Sequence, residues 1–171
     1  MLERFYPNMY INSLASISMD TFSKKDIRGI ILDLDKTITK WNQNDIQPDV
    51  RLWLELLQAE QISACILSNN GKERVEPVAA DLGIPYVFKA GKPKHKGYLH
   101  AIKLLDTHQK NTAVIGDQIF TDIWGGNRLG LFTILVKPLE GPEFPGTKIS
   151  RFFERRLFKI MMKSNAVDIR I

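Results

Sequence analysis

The sequence predicts a doubly wound α/β fold, a Rossmann-like arrangement in which helices cover both faces of a parallel β-sheet. Three observations lead to this prediction. Short, strongly apolar segments alternate along the chain with segments of helical periodicity. The apolar segments lack the regular polar positions of a strand that has one face in water. The 171-residue chain also contains no internal repeat or low-complexity tract, so a single core is expected.

Four apolar segments are predicted to form the main strands, because they suit a sheet that is buried on both sides. They cover residues 29–34 (GIILDL), 62–68 (ISACILS), 112–117 (TAVIGD) and 132–137 (FTILVK). A shorter segment, PYVF at 85–88, is predicted as a fifth strand. The single cysteine, Cys65, lies in the second of these strands, so a buried and unreactive thiol is expected.

Helices are predicted between the strands, where leucine and other apolar residues recur at helical spacing. Pro48 suits the first turn of one helix, and Gly83 suits the C-cap of another. The predicted helices cover residues 48–61, 72–83, 94–105 and 119–130. In sheets of this kind, ligands bind beyond the carboxyl ends of the strands, so the residues that follow each strand are the candidates for function.

Polar residues follow four of the predicted strands. Asp33, Asp35 and Thr37 come at the end of the first strand, and Ser68 and Asn69 follow the second. Further along the chain, Lys92 follows the short strand, Asp117 ends the next one, and Asp122 lies five residues later. This set of acids, a hydroxyl and a lysine suits a phosphate ester and a divalent cation.

Two adjacent carboxylates repel each other, at a cost of about 4 kcal/mol for a separation of ~4 Å at an effective dielectric constant of 20. A buried pair would therefore take up a proton unless a cation lay beside it. Mg²⁺ binds a few carboxylates together with a substrate phosphate. The sequence thus predicts a magnesium site at the front pair, Asp33 and Asp35, to which Asp117 adds a further acid from the neighbouring strand.

A carboxylate in such a site can attack phosphorus and form an aspartyl-phosphate, which divides one difficult displacement into two easier ones. Asp33 is the candidate nucleophile, and Asp35 is the candidate proton donor and base. Ser68 and the backbone N–H of Asn69 can bind phosphoryl oxygens, and Lys92 can neutralise developing charge. Other uses of these residues remain open: Asp35 and Asp122 also suit helix N-caps, and Ser68 and Asn69 suit turns.

The segments DLDKT, LSNN, KPK and GDQIFTD, in this order, resemble the four motifs of the haloacid dehalogenase (HAD) phosphatase superfamily. The resemblance implies Asp33 as nucleophile, Asp35 as general acid and base, and a supporting role for Thr37 in the first loop. It also implies phosphate binding by Ser68. Lys92 would bridge phosphate and nucleophile, although Lys94 and Lys96 crowd the same loop.

The resemblance further implies the magnesium ligands. Asp33, the backbone carbonyl of Asp35 and Asp117 would bind Mg²⁺, with Asp122 as a further ligand or a neighbour of one. No cap domain is expected, because the intervals between Asp33, Ser68 and Lys92 hold only a loop, two helices and two strands. The open site suits substrates that are too large to enclose, such as macromolecules or lipids at a surface.

The charge is concentrated at the end of the chain. The formal net charge is +5, and residues 148–163 alone carry six Lys or Arg and one Glu. We therefore predict a phosphatase domain over residues 1–147 and a basic amphipathic tail over residues 148–171. A basic amphipathic helix can lie on an anionic membrane surface, but it can equally pack its apolar stripe on the protein body.

Within the superfamily, the lead-in FYPNMYINSLASI, the absence of a cap and the basic tail resemble the YqeG-like group. That group is related to the mitochondrial phosphatidylglycerophosphate phosphatases. The resemblance implies removal of the terminal phosphate from phosphatidylglycerophosphate, a step towards phosphatidylglycerol and cardiolipin. The residue after the second acid is usually Asn or Gly in this group, where this chain has Lys36.

Other functions fit parts of the pattern. A phosphoprotein or a soluble phosphometabolite is an alternative substrate. A signalling receiver also phosphorylates an Asp on a doubly wound sheet, but carries it on a middle strand. A nucleic-acid-binding protein would interleave basic and aromatic residues across its body, so no nucleic acid is expected. Without a signal peptide or a long apolar run, the expected location is the cytoplasm, with peripheral contact at the inner face of the membrane.

Overall fold

A computed structural model of the chain describes residues 2–142, 147–162 and 167–170. Within these ranges, seven strands form one parallel sheet. In chain order, the strands are β1 (Met9–Ile11), β2 (Gly29–Leu32), β3 (Ser63–Leu67), β4 (Tyr86–Val87), β5 (Thr112–Gly116), β6 (Phe132–Val136) and β7 (Asp168–Arg170). Their order across the sheet is β4-β3-β2-β5-β6-β1-β7. The predicted doubly wound parallel sheet is confirmed.

The helices of the described ranges are α1 (Met19–Ser23), α2 (Pro48–Ala59), α3 (Lys72–Leu82), α4 (His95–Leu104), α5 (Trp124–Asn127) and α6 (Thr147–Met162). Pro48 begins α2, and Gly83 ends α3 in the left-handed conformation at φ 64°. The continuous helix predicted over 119–130 is wrong in detail. A π-helical turn, Ile119–Ile123, comes first, and α5 adds a single short turn.

The core lies on both faces of the sheet. Neighbouring residues of β2 point in opposite directions, so Ile30 packs in the layer that contains Trp53 of α2, whereas Ile31 packs with Tyr98 of α4. This two-sided burial explains why the strands are continuously apolar. Cys65 of β3 is fully buried, and this burial raises the pKa of its thiol to about 12, as expected for an unreactive cysteine.

The chain reverses its direction of winding at β2. From β2 it passes through α2 to β3 and then to β4 on one side, and it returns to the other side of β2 to form β5. The carboxyl ends of β2 and β5 lie together there, since Leu32 pairs with Ile115 and the Asp33 N–H donates to the Ile115 carbonyl at 2.9 Å. Such a switch point forms a crevice for ligands.

No cap domain is inserted between Asp33 and Lys92, all of which the structure describes. This interval holds a loop, α2, β3, α3 and β4. The mouth of the crevice is therefore bordered by loops. None of the helices in the described ranges combines the length and the apolar character that crossing a bilayer would require.

Helix α6 packs on the protein body along one face only. Leu157 and Met161 are buried in a cluster with Leu135 of β6. Phe152, Phe153 and Ile160 are instead 59%, 55% and 50% exposed. The helix thus contacts the body and also displays apolar side chains to solvent.

Candidate active site

Three buried carboxylates meet at the switch point. Asp33 follows β2, Asp117 follows β5, and Asp122 lies on the π-helical turn beyond it. One oxygen from each lies within 4.8 Å of the others. The Lys92 ammonium group joins this cluster, since Nζ lies 2.6 Å from Oδ1 of Asp33 and 2.7 Å from Oδ1 of Asp122. All four residues are at least nine-tenths buried.

The local backbone brings Asp122 to the end of β5. The π-helical turn directs its side chain back toward the strand, where the Gln118 N–H donates to Oδ2 at 3.1 Å. Gly116 makes this position possible, because a Cβ there would clash with the carboxyl group of Asp122. Single π-helical turns occur frequently at functional sites, and this one supplies a charged partner for Lys92.

Burial and charge set the protonation of the cluster. Burial raises the pKa of Asp33 to about 6, with the charge of Asp122 adding to the rise and Lys92 opposing it. Burial alone would lower the pKa of Lys92, but the negative charges of Asp122 and Asp33 outweigh it and raise that pKa above its usual value. At neutral pH, Lys92 is therefore charged and Asp33 is mainly a carboxylate.

Asp35 lies outside this cluster and is held by a second set of residues. Its Oδ2 accepts a hydrogen bond from Asn70 Nδ2 at 2.6 Å, and its Oδ1 accepts one from Arg74 Nη2 at 2.7 Å. Nε of Arg74 reaches the same oxygen at 3.2 Å, as does the Asn42 N–H. The guanidinium group of Arg74, the side-chain amide of Asn70 and the backbone N–H of Asn42 thus fix the Asp35 carboxylate at the edge of the crevice.

Arg74 also fastens the loop that follows the first motif. Its Nη1 donates to Oδ1 of Asn44 at 2.9 Å, and its Nη2 donates to the carbonyl of Gln43 at 2.7 Å and to Oγ1 of Thr39 at 2.8 Å. The guanidinium group of Arg74 is therefore shared between Asp35 and residues 39–44. Because guanidinium is planar and multidentate, one side chain can order both.

Ser68, Asn69 and Lys92 form the opposite side of the crevice. Ser68 is buried, and its Oγ accepts hydrogen bonds from the backbone and the side chain of Asn70. The Asn69 side chain accepts from the Lys92 N–H at 2.7 Å and donates to the Lys92 carbonyl at 3.2 Å. The Asn69 side chain thereby fixes the backbone of Lys92, the lysine that contacts Asp33. The sequence predicts a role only for the backbone N–H of Asn69, in phosphate binding.

Thr37 and Lys36 shape the turn after Asp33. Thr37 is buried, and its hydroxyl has no hydrogen-bond partner within the described part of the chain. Lys36 has a left-handed backbone at φ 66°, a conformation that Gly and Asn adopt more readily than lysine does. The Lys36 N–H donates a hydrogen bond to the Thr39 carbonyl, and the Lys36 carbonyl accepts one from the Leu139 N–H. The Lys36 Nζ donates to the Gly141 carbonyl at 3.2 Å.

The comparisons with known proteins agree with this arrangement. The sequence pattern of haloacid dehalogenase-like hydrolases matches residues 19–130. The chain belongs to this family. It is 33% identical over 169 residues to "Probable phosphatase YqeG" of Bacillus subtilis, with 98% of each chain covered. The predicted resemblance to HAD phosphatases is confirmed, and the match supports a phosphatase.

More distant relatives carry a specific activity in their names. The chain is 26% identical to phosphatidylglycerophosphate phosphatase 1 of Arabidopsis thaliana, covering 81% of this chain and 42% of that one. It is also 26% identical to the mitochondrial phosphatidylglycerophosphatase GEP4 of Saccharomyces cerevisiae, covering 79% and 78%.

Solved structures share the fold at low identity. The cobalt-bound deoxy-D-mannose-octulosonate 8-phosphate phosphatase YrbI of Haemophilus influenzae superposes with a TM-score of 0.51 at 17% identity, covering 82% of this chain and 92% of that one. An HAD subfamily III A hydrolase of Legionella pneumophila gives a TM-score of 0.53 at 19% identity, covering 87% and 96%. These similarities agree with the parallel sheet seen here.

In this HAD-family chain, sequence reasoning anticipated some of the neighbours and missed others. The structure brings Asp33, Lys92, Asp117 and Asp122 together as the motifs suggested, and Lys94 is exposed rather than in the cluster. The Asp35 side chain is not among the clustered carboxylates, and its predicted metal contact is through its main-chain carbonyl. Arg74 was missed, because a lone arginine at the start of a helix carries no motif.

Proposed function

We propose that this protein is a Mg²⁺-dependent phosphomonoesterase that acts through an aspartyl-phosphate on Asp33. The observation that carries the proposal is the position of Lys92, whose Nζ lies within 2.7 Å of both Asp33 and Asp122 inside a buried carboxylate cluster. A lysine that is held in this way can neutralise charge on a phosphoryl group next to the nucleophile.

The donor set fits a magnesium ion. Asp33, Asp117 and Asp122 offer carboxylate oxygens within 4.8 Å of one another, and hard oxygen donors suit Mg²⁺. Asp33, Asp117 and the main-chain carbonyl of Asp35 would hold the ion, with Asp122 beside them. When bound, the ion supplies positive charge that offsets the repulsion between the acids and the phosphate oxygens.

The chain's own residues then account for the proton and bond changes. The first step starts from the enzyme form in which Asp35 carries a proton. A carboxylate oxygen of Asp33 attacks phosphorus, the bond from phosphorus to the alkoxide breaks, and Asp35 gives that proton to the leaving oxygen. In the second step, Asp35 takes a proton from water. The resulting hydroxyl oxygen attacks phosphorus, which frees the Asp33 carboxylate and releases inorganic phosphate.

We further propose phosphatidylglycerophosphate as the substrate, hydrolysed at a membrane surface. Three observations support this choice: the relatives named as phosphatidylglycerophosphate phosphatases, the uncapped crevice, and the exposed Phe152, Phe153 and Ile160 on the basic helix α6. A basic helix with exposed apolar residues can associate with anionic lipid.

The test is phosphate release from phosphatidylglycerophosphate in mixed micelles with Mg²⁺. EDTA is expected to abolish release, and Asp33→Asn is expected to lower kcat on the order of 10³-fold or more, since the nucleophile is lost. Asp20→Asn is the matched control, because Asp20 is exposed and paired with Lys24. Activity that survives Asp33→Asn would refute the nucleophile, and faster turnover of phosphopeptides or soluble phosphomonoesters would refute the lipid.

A further inference from the structure

A cleft opens beside the carboxylate cluster, between α6 and the carboxyl ends of β1 and β6. Its volume is about 320 Å³. Apolar and aromatic side chains form most of its lining, namely Tyr10, Ile119, Leu135, Val136, Pro138 and Phe158. The rings of Tyr10 and Phe158 lie 4.9 Å apart between centroids, so they connect the sheet to the helix across the cleft.

The cleft has a charged side and a direct connection to the candidate active site. Asp117, one of the three clustered acids, belongs to its lining. Arg155 and Lys159 line it from α6, one helical turn apart, and both residues are exposed. Glu154 also lines it, but its carboxylate is buried and accepts a hydrogen bond from the Phe120 N–H at 3.2 Å.

We propose that this cleft binds the glycerol backbone and the first acyl carbons of one anionic phospholipid, while Arg155 and Lys159 bind its internal phosphodiester. The inference rests on the proposed lipid phosphatase activity and adds a binding site for the part of the substrate that does not react. The terminal phosphate of the same molecule would then lie at Asp33.

The chemistry of the lining favours an anionic amphiphile over other occupants. Of the two acids in the lining, Glu154 is bonded to the Phe120 N–H and Asp117 belongs to the carboxylate cluster. The apolar floor and the two exposed cations then complement a molecule that has a hydrocarbon part next to a phosphodiester. A volume of about 320 Å³ lies at the lower end of the range of roughly 300–1,000 Å³ found for small-molecule sites, which suits a short stretch of lipid rather than a folded partner. The exposed Phe152 and Phe153 on the same helix would lie at the membrane from which the lipid comes.

The first experiment removes the membrane. Hydrolysis of dihexanoyl-phosphatidylglycerophosphate, kept below its critical micelle concentration, is compared with hydrolysis of the same headgroup without acyl chains. The cleft predicts a KM that is roughly tenfold lower for the acylated molecule. Equal KM values for the two molecules would overturn the cleft proposal and leave the proposed phosphatase activity standing.

The second experiment isolates the two cations. Arg155→Glu and Lys159→Glu, made separately, are each expected to raise the Kd of monomeric dihexanoyl-phosphatidylglycerol roughly tenfold in calorimetry. Arg156→Glu is the matched control on the same helix: Arg156 is exposed, its guanidinium lies 5.6 Å from the Phe152 ring, and it does not line the cleft. It is expected to change the Kd by less than about twofold.

The outcomes separate the two proposals. If Arg156→Glu raises the Kd as much as the other two variants do, the positive charge of the helix as a whole accounts for lipid binding, and the cleft proposal is refuted. Calorimetry uses a lipid without the terminal phosphate, so it tests the cleft even if no lipid substrate is hydrolysed. Absence of Asp33-dependent hydrolysis together with retained, Arg155-dependent lipid binding would refute the phosphatase proposal alone.

Discussion

Asp33 illustrates, at the scale of one residue, how a functional group can oppose folding. Its folded-state pKa of about 6 lies above the ~3.9 of an unfolded chain, so the folded state binds a proton more tightly. Stability therefore falls as pH rises from about 4 to 6, and the full cost, about 3 kcal/mol for two pKa units, is present above pH 6. A metal ion beside the carboxylate would offset it.

The first prediction follows from that sign. In EDTA at pH 7.5, Asp33→Asn is expected to raise the Tm by about 2–8 °C, because the neutral amide avoids the burial of a charge. At pH 5 the gain should be smaller, since Asp33 is then mostly protonated in the folded wild type. Thermal unfolding followed by circular dichroism measures the Tm at both pH values. A lower Tm for the variant than for the wild type at pH 7.5 would contradict the raised pKa of Asp33.

The second prediction concerns Arg74, whose guanidinium group is bonded to Asp35 and to residues 39–44. Arg74→Lys keeps the charge but loses the planar fork. We expect kcat for p-nitrophenyl phosphate to fall roughly 10- to 100-fold while KM changes little, because Asp35 is no longer fixed for proton transfer.

The matched control for Arg74 is Arg51→Lys, since Arg51 forms an exposed pair with Asp81 at 2.7 Å. Steady-state kinetics of both variants gives the comparison. Limited proteolysis provides a second measurement, and faster cleavage within residues 39–44 is expected for Arg74→Lys only. Equal kinetics for the two variants would show that Arg74 does not position Asp35.

At the scale of elements, the π-helical turn depends on the glycine that ends β5. Gly116→Ala would place a Cβ against the carboxyl group of Asp122, which is fully buried. Overpacking of this kind costs about 1–3 kcal/mol, so the third prediction is a Tm about 3–10 °C lower. Gly71→Ala is the control, because the atom its Cβ approaches is the end of the flexible Glu73 side chain. Thermal unfolding of the two variants tests this.

The elements that sequence reasoning found are those whose signal is local. The strands β2, β3, β5 and β6 were predicted, because each is a continuous apolar run that the two-sided core requires. The strands β1 and β7 were missed. Each has three residues, too few for a periodic pattern, and β1 finds its partners through pairing with β6 and β7 far along the chain.

The candidate site likewise contains residues that the sequence predicts and residues that depend on contacts between distant parts of the chain. The residues at strand ends were predictable from the topology, because the carboxyl ends of parallel strands meet at one edge. The contacts of Arg74 with Asp35 and the hydrogen bonds between Asn69 and the Lys92 backbone were not predictable in this way, because they depend on how side chains from different loops are directed. The cleft depends on where α6 packs, which an amphipathic pattern alone leaves open between body and membrane.

At the scale of the whole molecule, helix α6 packs beside the candidate active site and also displays side chains to solvent. The buried face of α6 carries Leu157 and Met161, which fix it beside the turn that holds Asp122. Phe152, Phe153 and Ile160 of the same helix are exposed among basic residues. A helix anchored in this way can contact a bilayer while it stays packed beside the candidate active site. Whether residues 148–171 act as a lipid-binding region stays a prediction.

The fourth prediction tests that surface. Phe152→Ser combined with Phe153→Ser is expected to reduce binding to sedimenting phosphatidylglycerol vesicles roughly tenfold. Burying a whole apolar side chain contributes about 1.5–3 kcal/mol, and only about half of each phenylalanine is exposed and so able to enter the lipid. The control is Leu52→Ser with Leu56→Ser, which removes two leucines that are 57% and 46% exposed on α2. If both double variants lose binding equally, hydrophobicity anywhere on the surface suffices. If the α6 variant alone loses it, the membrane lies against the helix that also borders the cleft, and the crevice opens toward the lipid.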